Sequence, residues 1–128
     1  MQKAGHQTLD APAAIGPYSQ AISYDHLVFC SGQLPVDAST GEMGADIAAQ
    51  TQIALKNLAS ILAASGSSLS DVLKTTVFMT DITQFASMNE IYSEFFPNGA
   101  PARSTVQVAK LPKGALIEIE AIAAKSNV

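Results

Sequence analysis

The chain has 128 residues and a net charge of −4, with 48% apolar and only 14% charged residues. That length suits one domain with a real core, so a single domain over residues 1–128 is expected, and the acidic balance without any Lys/Arg run argues against an electrostatic nucleic-acid footprint or a polybasic membrane anchor. Against about 25% charge in an ordinary globular protein, so sparse a polar surface implies that part of it is buried in a symmetric oligomer.

Taken in chain order, Lys3 to Leu9 reads as a short first strand, and Ala11-Pro12-Ala13-Ala14-Ile15-Gly16-Pro17 as an interrupting loop, since two prolines and a glycine suit neither helix nor sheet interior. Tyr18 to Tyr24 and His26 to Ser31 form a hairpin about Asp25. Gly32-Gln33-Leu34-Pro35 ends it, and a polar loop over Asp37 to Gly44 follows. From Ala45 to Ser65, Ile47, Ala54, Leu55, Leu58, Ile61 and Leu62 fall on one helical stripe, with Asp46 as N-cap and Gly66 as terminator. Ser67 to Ser70 connects it to a β-branched strand over Val72 to Thr80. Asp81-Ile82-Thr83-Gln84 has capping-box spacing and opens a second helix, in which Phe85, Met88, Tyr92, Phe95 and Phe96 recur at helical spacing and are expected in the core.

Pro97-Asn98-Gly99 stops that helix, and Pro101 to Ala124 holds two alternating segments about Leu111-Pro112-Lys113-Gly114, expected as a hairpin. In its first strand Arg103, Thr105 and Gln107 share a face opposite Val106 and Val108; in its second, Glu118 and Glu120 oppose Ile117 and Ile119. The order β-β-β-α-β-α-β-β predicts a two-layer α+β fold, a mixed sheet with both helices on one face. Helices demand the apolar side, so Arg103, Thr105, Glu118 and Glu120 are expected on the face away from them, at a subunit interface or its clefts.

No phosphate-binding glycine loop, dinucleotide fingerprint, zinc spacing or nucleophile elbow is present. The single Cys30 cannot form an internal disulfide and follows apolar residues, so it reads as a buried small hydrophobe in an intracellular chain. His6 and His26 are isolated, Ser31 lacks evident triad partners, the N-terminus has no apolar signal core, and no apolar run approaches the ~20 residues of a membrane span. A soluble, cytoplasmic protein without metal is expected. The remaining chemistry lies in Tyr18, Ser31 to Gln33, Asn89, Arg103, Thr105 and Glu118. An arginine on a rigid strand suits a carboxylate ligand, because its planar fork makes two parallel charge-assisted hydrogen bonds, and a glutamate nearby can orient or deprotonate water. The structural alternative is an Arg103–Glu118 ion pair between strands or subunits.

Five segments carry a family resemblance: Ala11-Pro12-Ala13-Ala14-Ile15-Gly16-Pro17-Tyr18, Ser31-Gly32-Gln33-Leu34-Pro35, Lys74-Thr75-Thr76-Val77-Phe78, Pro101-Ala102-Arg103-Ser104 and Glu118-Ile119-Glu120-Ala121. In order and spacing, end to end, the chain resembles the RidA family of 2-iminobutanoate/2-iminopropanoate deaminases. That resemblance implies a chorismate-mutase-like fold, a homotrimer with clefts between subunits, and hydrolysis of enamines and imines released by pyridoxal-phosphate-dependent dehydratases, without a cofactor. It implies that Arg103 holds the substrate carboxylate and Glu118 the attacking water, with Tyr18, Gly32 and Asn89 lining the cleft. Thr105 stands where many members carry cysteine, so thiol chemistry is unavailable there, although its hydroxyl can hydrogen-bond imine or water. The rival reading is a non-catalytic binder of small carboxylates, or a chaperone-like protein, using the same cleft.

Overall fold

The computed structural model describes residues 2–126; the extreme ends of the expected domain, residues 1, 127 and 128, lie outside the described residues. Six strands form one sheet: β1 (Ala4–His6), β2 (Ala21–Tyr24), β3 (Leu27–Gln33), β4 (Val72–Met79), β5 (Ala102–Gln107) and β6 (Ile117–Ala124), in the spatial order β1-β2-β3-β6-β4-β5. Helices α1 (Ile47–Ala64) and α2 (Phe85–Phe95) complete the α+β architecture. No described helix is long and apolar enough to cross a membrane.

Local chemistry accounts for most element ends. The Asp46 carboxylate accepts from the Ala49 amide at 2.9 Å, satisfying one open donor at the start of α1, and Gly66 takes the left-handed φ of +77° just beyond its end. Asp81 accepts from the Thr83 amide and hydroxyl, at 3.0 and 2.6 Å, but a 3-10 turn over Ile82–Gln84 intervenes, so α2 begins later than the capping-box reading placed it. The β2–β3 hairpin turns at Asp25, whose φ is +56°. It matches the expected hairpin.

The second expected hairpin does not form. β5 pairs with β4, in parallel, while β6 lies between β3 and β4 and pairs antiparallel with both. The turn chemistry is genuine, with Lys113 and Gly114 at φ of +60° and +69°, but it carries the chain past β4 instead of folding β5 back on β6. Burial explains the arrangement. One side of β6 consists of Ile117, Ile119, Ala121 and Ala123, all buried, and an eight-residue strand so apolar is satisfied only with a neighbour at each edge. In β5 no residue is fully buried, which suits the sheet edge.

Leu55, Leu58, Ile61 and Leu62 of α1 pack onto Val28, Val77, Ile117 and Ile119, joined by Met88 and Tyr92 of α2. Each such aliphatic side chain, fully buried, contributes about 1.5–3 kcal/mol. Buried amides tie the helix layer to the loops that matter for the site. Asn57 donates to the carbonyls of Leu34 and Val36 at 3.0 and 2.9 Å, and Gln50 accepts from the Leu116 amide at 2.8 Å. Gln20, also buried, donates to the Pro12 carbonyl and accepts from the Thr8 amide, both at 2.7 Å, so the proline-rich loop is ordered.

The other face of the sheet has no helix over it. Ile22, Phe29 and Ile122 stand side by side in register, as do Tyr24 with Leu27 and Phe78 with Val106. Phe29, in the middle of a strand, is 43% exposed.

Candidate functional site

Strand register decides which candidate residues meet, because paired residues on neighbouring strands point to the same side of a sheet. Arg103 pairs with Thr75, and Thr75 pairs with Ala121; the buried Thr75 hydroxyl shares a 2.7 Å hydrogen bond with the Tyr92 hydroxyl on α2. Arg103 and, two residues on, Thr105 therefore face the helix layer. Glu118 pairs with Phe78 and Glu120 with Thr76, on the open side. The four residues do not share the face away from the helices, contrary to the expectation. The alternation within each strand was sound; its transfer from one strand to the other relied on a hairpin that does not exist. Nor was an apolar partner needed against α2 here, because β5 lies at the rim of the helix layer, where a polar helix flank is available.

One cluster gathers around Arg103. Its Nη1 donates to the Asn89 side-chain oxygen at 2.8 Å, and its Cζ lies over the rings of Tyr92 and Phe85, 4.7 and 5.3 Å from their centroids. Both distances fall within cation–π range. The Tyr92 ring also packs against Phe96 at 4.7 Å, and burial raises its hydroxyl pKa, offset in part by the Thr75 hydrogen bond and by Arg103. Thr105 contributes a buried Oγ1 with no hydrogen-bond partner among the described residues, and Gln84, just before α2, an equally unpartnered Oε1.

A second cluster gathers around Glu118. A register shift between Cys30 and Gln33 puts a bulge in β3 opposite β6. There the backbone of Gly32 comes so close that a Cβ on it would stand 2.7 Å from the Glu118 Cδ. Glycine at 32 is thus the space that the carboxylate occupies. Half-burial, and then the charge of Glu120, raise the Glu118 pKa above the ordinary glutamate range. Ser31, next to Gly32, donates from Oγ to the Ser19 carbonyl at 2.6 Å and from its amide to the Gln20 carbonyl at 2.9 Å. These bonds fasten the arm that carries Tyr18, which is 53% exposed beside a groove of about 680 Å³ that includes His6, Thr8 and Ala14 but neither Arg103 nor Glu118.

The structure thus brings Arg103 together with Asn89 and, separately, Glu118 with Gly32. Within one chain it does not bring the two sets together, and no Arg103–Glu118 ion pair exists among the described residues. Cys30 is buried, and burial pushes its thiol up to about 12, as suits a core residue without nucleophilic use. Among the described residues no three His, Cys, Asp or Glu side chains gather to hold a metal ion. Phe85 and Tyr92 were expected in the core. Tyr92, Met88 and Phe96 are buried there, but Phe85 is 38% exposed and touches Arg103. The signal was present: Phe85, Asn89 and Tyr92 follow i, i+4, i+7 spacing, which puts a polar candidate on the aromatic stripe itself.

A family model described as endoribonuclease L-PSP matches residues 8–125. A RutC family protein of Pyrococcus horikoshii is 52% identical over 119 residues, covering 92% of this chain and 94% of that protein. The human 2-iminobutanoate/2-iminopropanoate deaminase is 48% identical over 117 residues, covering 91% of this chain and 85% of its own. Among solved structures, Escherichia coli TdcF with bound serine superposes with a TM-score of 0.92 at 47% identity, over 96% of this chain and 99% of that one.

Proposed function

This chain belongs to the endoribonuclease L-PSP family, and from that premise we propose that it hydrolyses small 2-imino acids, and the enamines in equilibrium with them, to 2-oxo acids and ammonia. The observation that carries the reading is the arginine on β5, whose planar fork suits a carboxylate and which is held against α2 through Nη1 and Asn89. The name of the human relative and the serine bound in the E. coli structure support a three- or four-carbon acid with nitrogen on C2 as the substrate class.

Arg103 binds the carboxylate and so fixes the imine carbon. Glu118 orients a water toward that carbon; the attack forms a C–O bond while the C=N π pair moves to nitrogen. Proton transfer to nitrogen makes ammonia the leaving group of the resulting carbinolamine, and its departure leaves the 2-oxo acid. Glu118 is suited to both proton duties, since its raised pKa brings it nearer the working pH than an ordinary glutamate. Imine hydrolysis proceeds unaided in water, so orientation and proton handling suffice. The suppliers of such imines are pyridoxal-phosphate-dependent dehydratases acting on serine and threonine.

Completion of the site requires a second copy. Arg103 and Glu118 face opposite sides of one sheet, so a heterologous contact would set the Arg103 cluster of one copy against the Glu118 cluster of the next; contacts of that kind can close into rings, and the homotrimer implied by the family resemblance is such a ring. The uncovered apolar face and the sparse charge support such a contact. RNA cleavage, the activity in the family's description, finds no support in a chain of net charge −4 without a basic stripe. A pure carboxylate binder is the second reading, favoured by the fact that Arg103, Asn89 and the aromatic rings are assembled within a single chain. It needs Arg103 but not Glu118.

The test generates imine in situ from serine or threonine with a dehydratase, in the presence of a scavenger amine, and follows 2-oxo acid release. Wild type is expected to accelerate release and Arg103→Ala to lose the acceleration, with Arg103→Lys well below wild type because an ammonium is a point charge and not a fork. Full activity of Arg103→Lys would rule out the bidentate hold. A folded wild type inactive on both imines would overturn the hydrolase reading; Glu118→Gln is expected to lose turnover if the chain is a hydrolase, whereas a pure binder would show no turnover and keep its pyruvate affinity in that variant.

A further inference from the structure

An arginine side chain surrenders rotamer entropy when it is held in one geometry. Arg103 stands at the sheet edge, half-buried, with a side-chain hydrogen bond to Asn89 and the Tyr92 hydroxyl also beside its guanidinium. Hydrogen bonds fix where the guanidinium sits, and the rings stacked against it set the tilt of its plane. On the reading of Arg103 as the carboxylate hold, we infer that Phe85 is a positioning residue for this site: its ring and that of Tyr92 hold the guanidinium so that Nη1 stays with Asn89 and the planar fork is presented to the carboxylate.

The two rings differ in how firmly they are placed. Tyr92 is 4% exposed, bonded through its hydroxyl to Thr75 on the central strand β4 and packed on Phe96. It is a fixed wall. Phe85, on the first turn of α2, is 38% exposed and stands outside the core cluster, yet its ring lies 5.3 Å from the Arg103 Cζ. Its distance from β5 is set independently, because the Gln107 side-chain oxygen on β5 accepts from the Ile82 amide at 2.8 Å, three residues before Phe85. Phe85, Asn89 and Tyr92 occupy one stripe of one helix, so the cradle moves as a unit with α2. An exposed phenylalanine in this place has a use that core packing does not provide.

The experiment compares wild type, Phe85→Leu, Phe85→Met and Phe85→Tyr in the full chain, with pyruvate as the binding probe. Three quantities are read: pyruvate affinity by calorimetry, the 15N relaxation order parameter of the Arg103 Nε–Hε group, and KM and kcat for the imine. Phe85→Leu and Phe85→Met are expected to weaken pyruvate binding and raise KM about fivefold, the scale of one partly exposed cation–π contact. They should also lower the Arg103 order parameter and leave kcat within about twofold, while Phe85→Tyr restores wild-type values. Leucine and methionine variants that bind pyruvate as wild type does, with an equally ordered Arg103, would overturn the inference. If wild type itself binds no pyruvate, the carboxylate reading fails, and the order parameter alone then decides whether Phe85 holds the arginine.

Discussion

The two clusters are built in opposite ways. Around Arg103, side chains hold a side chain: an amide and two rings on one helix stripe constrain a guanidinium on a neighbouring strand. Around Glu118, the decisive feature is a missing side chain, since a bulged strand and Gly32 make room for a carboxylate whose proton affinity is raised by its surroundings. An arginine stays charged wherever it is put, so what it needs is orientation. A glutamate that handles protons needs its pKa tuned, so what it needs is partial burial beside a like charge.

The largest effect is expected where room is taken from the second cluster. Gly32→Val should cost imine hydrolysis about 10²-fold, the usual effect of a misplacement near 1 Å, while pyruvate affinity at Arg103 changes little in steady-state and calorimetric assays of the same preparation. Equal loss of both would mean that the clusters are not separable.

A smaller effect belongs to the first cluster. Thr105→Val removes a buried hydroxyl that has no hydrogen-bond partner among the described residues, and relief of that desolvation should raise unfolding stability by about 1 kcal/mol in urea titration. A stability gain with KM unchanged would show that the hydroxyl does not touch substrate; a raised KM would show that it does.

The smallest effect is electrostatic and belongs to Glu118. Its folded-state pKa lies above the unfolded value, so the native state binds more protons, and stability declines as pH rises from the ordinary glutamate range through the raised value. Glu118→Gln should flatten that part of the profile of melting temperature against pH and leave the variant slightly the more stable at neutral pH. A profile parallel to wild type would mean that the carboxylate is not desolvated.

The site was legible in part. Arg103 and Glu118 could be named from the chain, because a charged residue inside an alternating strand is a local anomaly, whereas Gly32 and Asn89 are assigned to the site by the family resemblance. Phe85 reads as core because it is an aromatic at helical spacing; Asn89 on the same stripe marks that face as polar in part, but only the tertiary structure puts the first turn of α2 at the rim of the sheet. The separation of Arg103 from Glu118 was likewise out of reach, since adjacency in sequence suggested a hairpin.

By itself the sequence determined the order of elements, the extent of α1 and its Asp46 cap, the two faces of β5 and of β6, and the aliphatic stripe of α1 in the core. These follow from periodicity and from hydrogen bonds that span a few residues. Only the tertiary structure decided that β6 enters between β3 and β4, that β5 becomes a parallel edge strand, and that Arg103 and Glu118 consequently look in opposite directions. Strand pairing is chosen by non-local burial: the buried side of β6, Ile117, Ile119, Ala121 and Ala123, gains more between two neighbours than at an edge, and no short-range pattern encodes which neighbours those are.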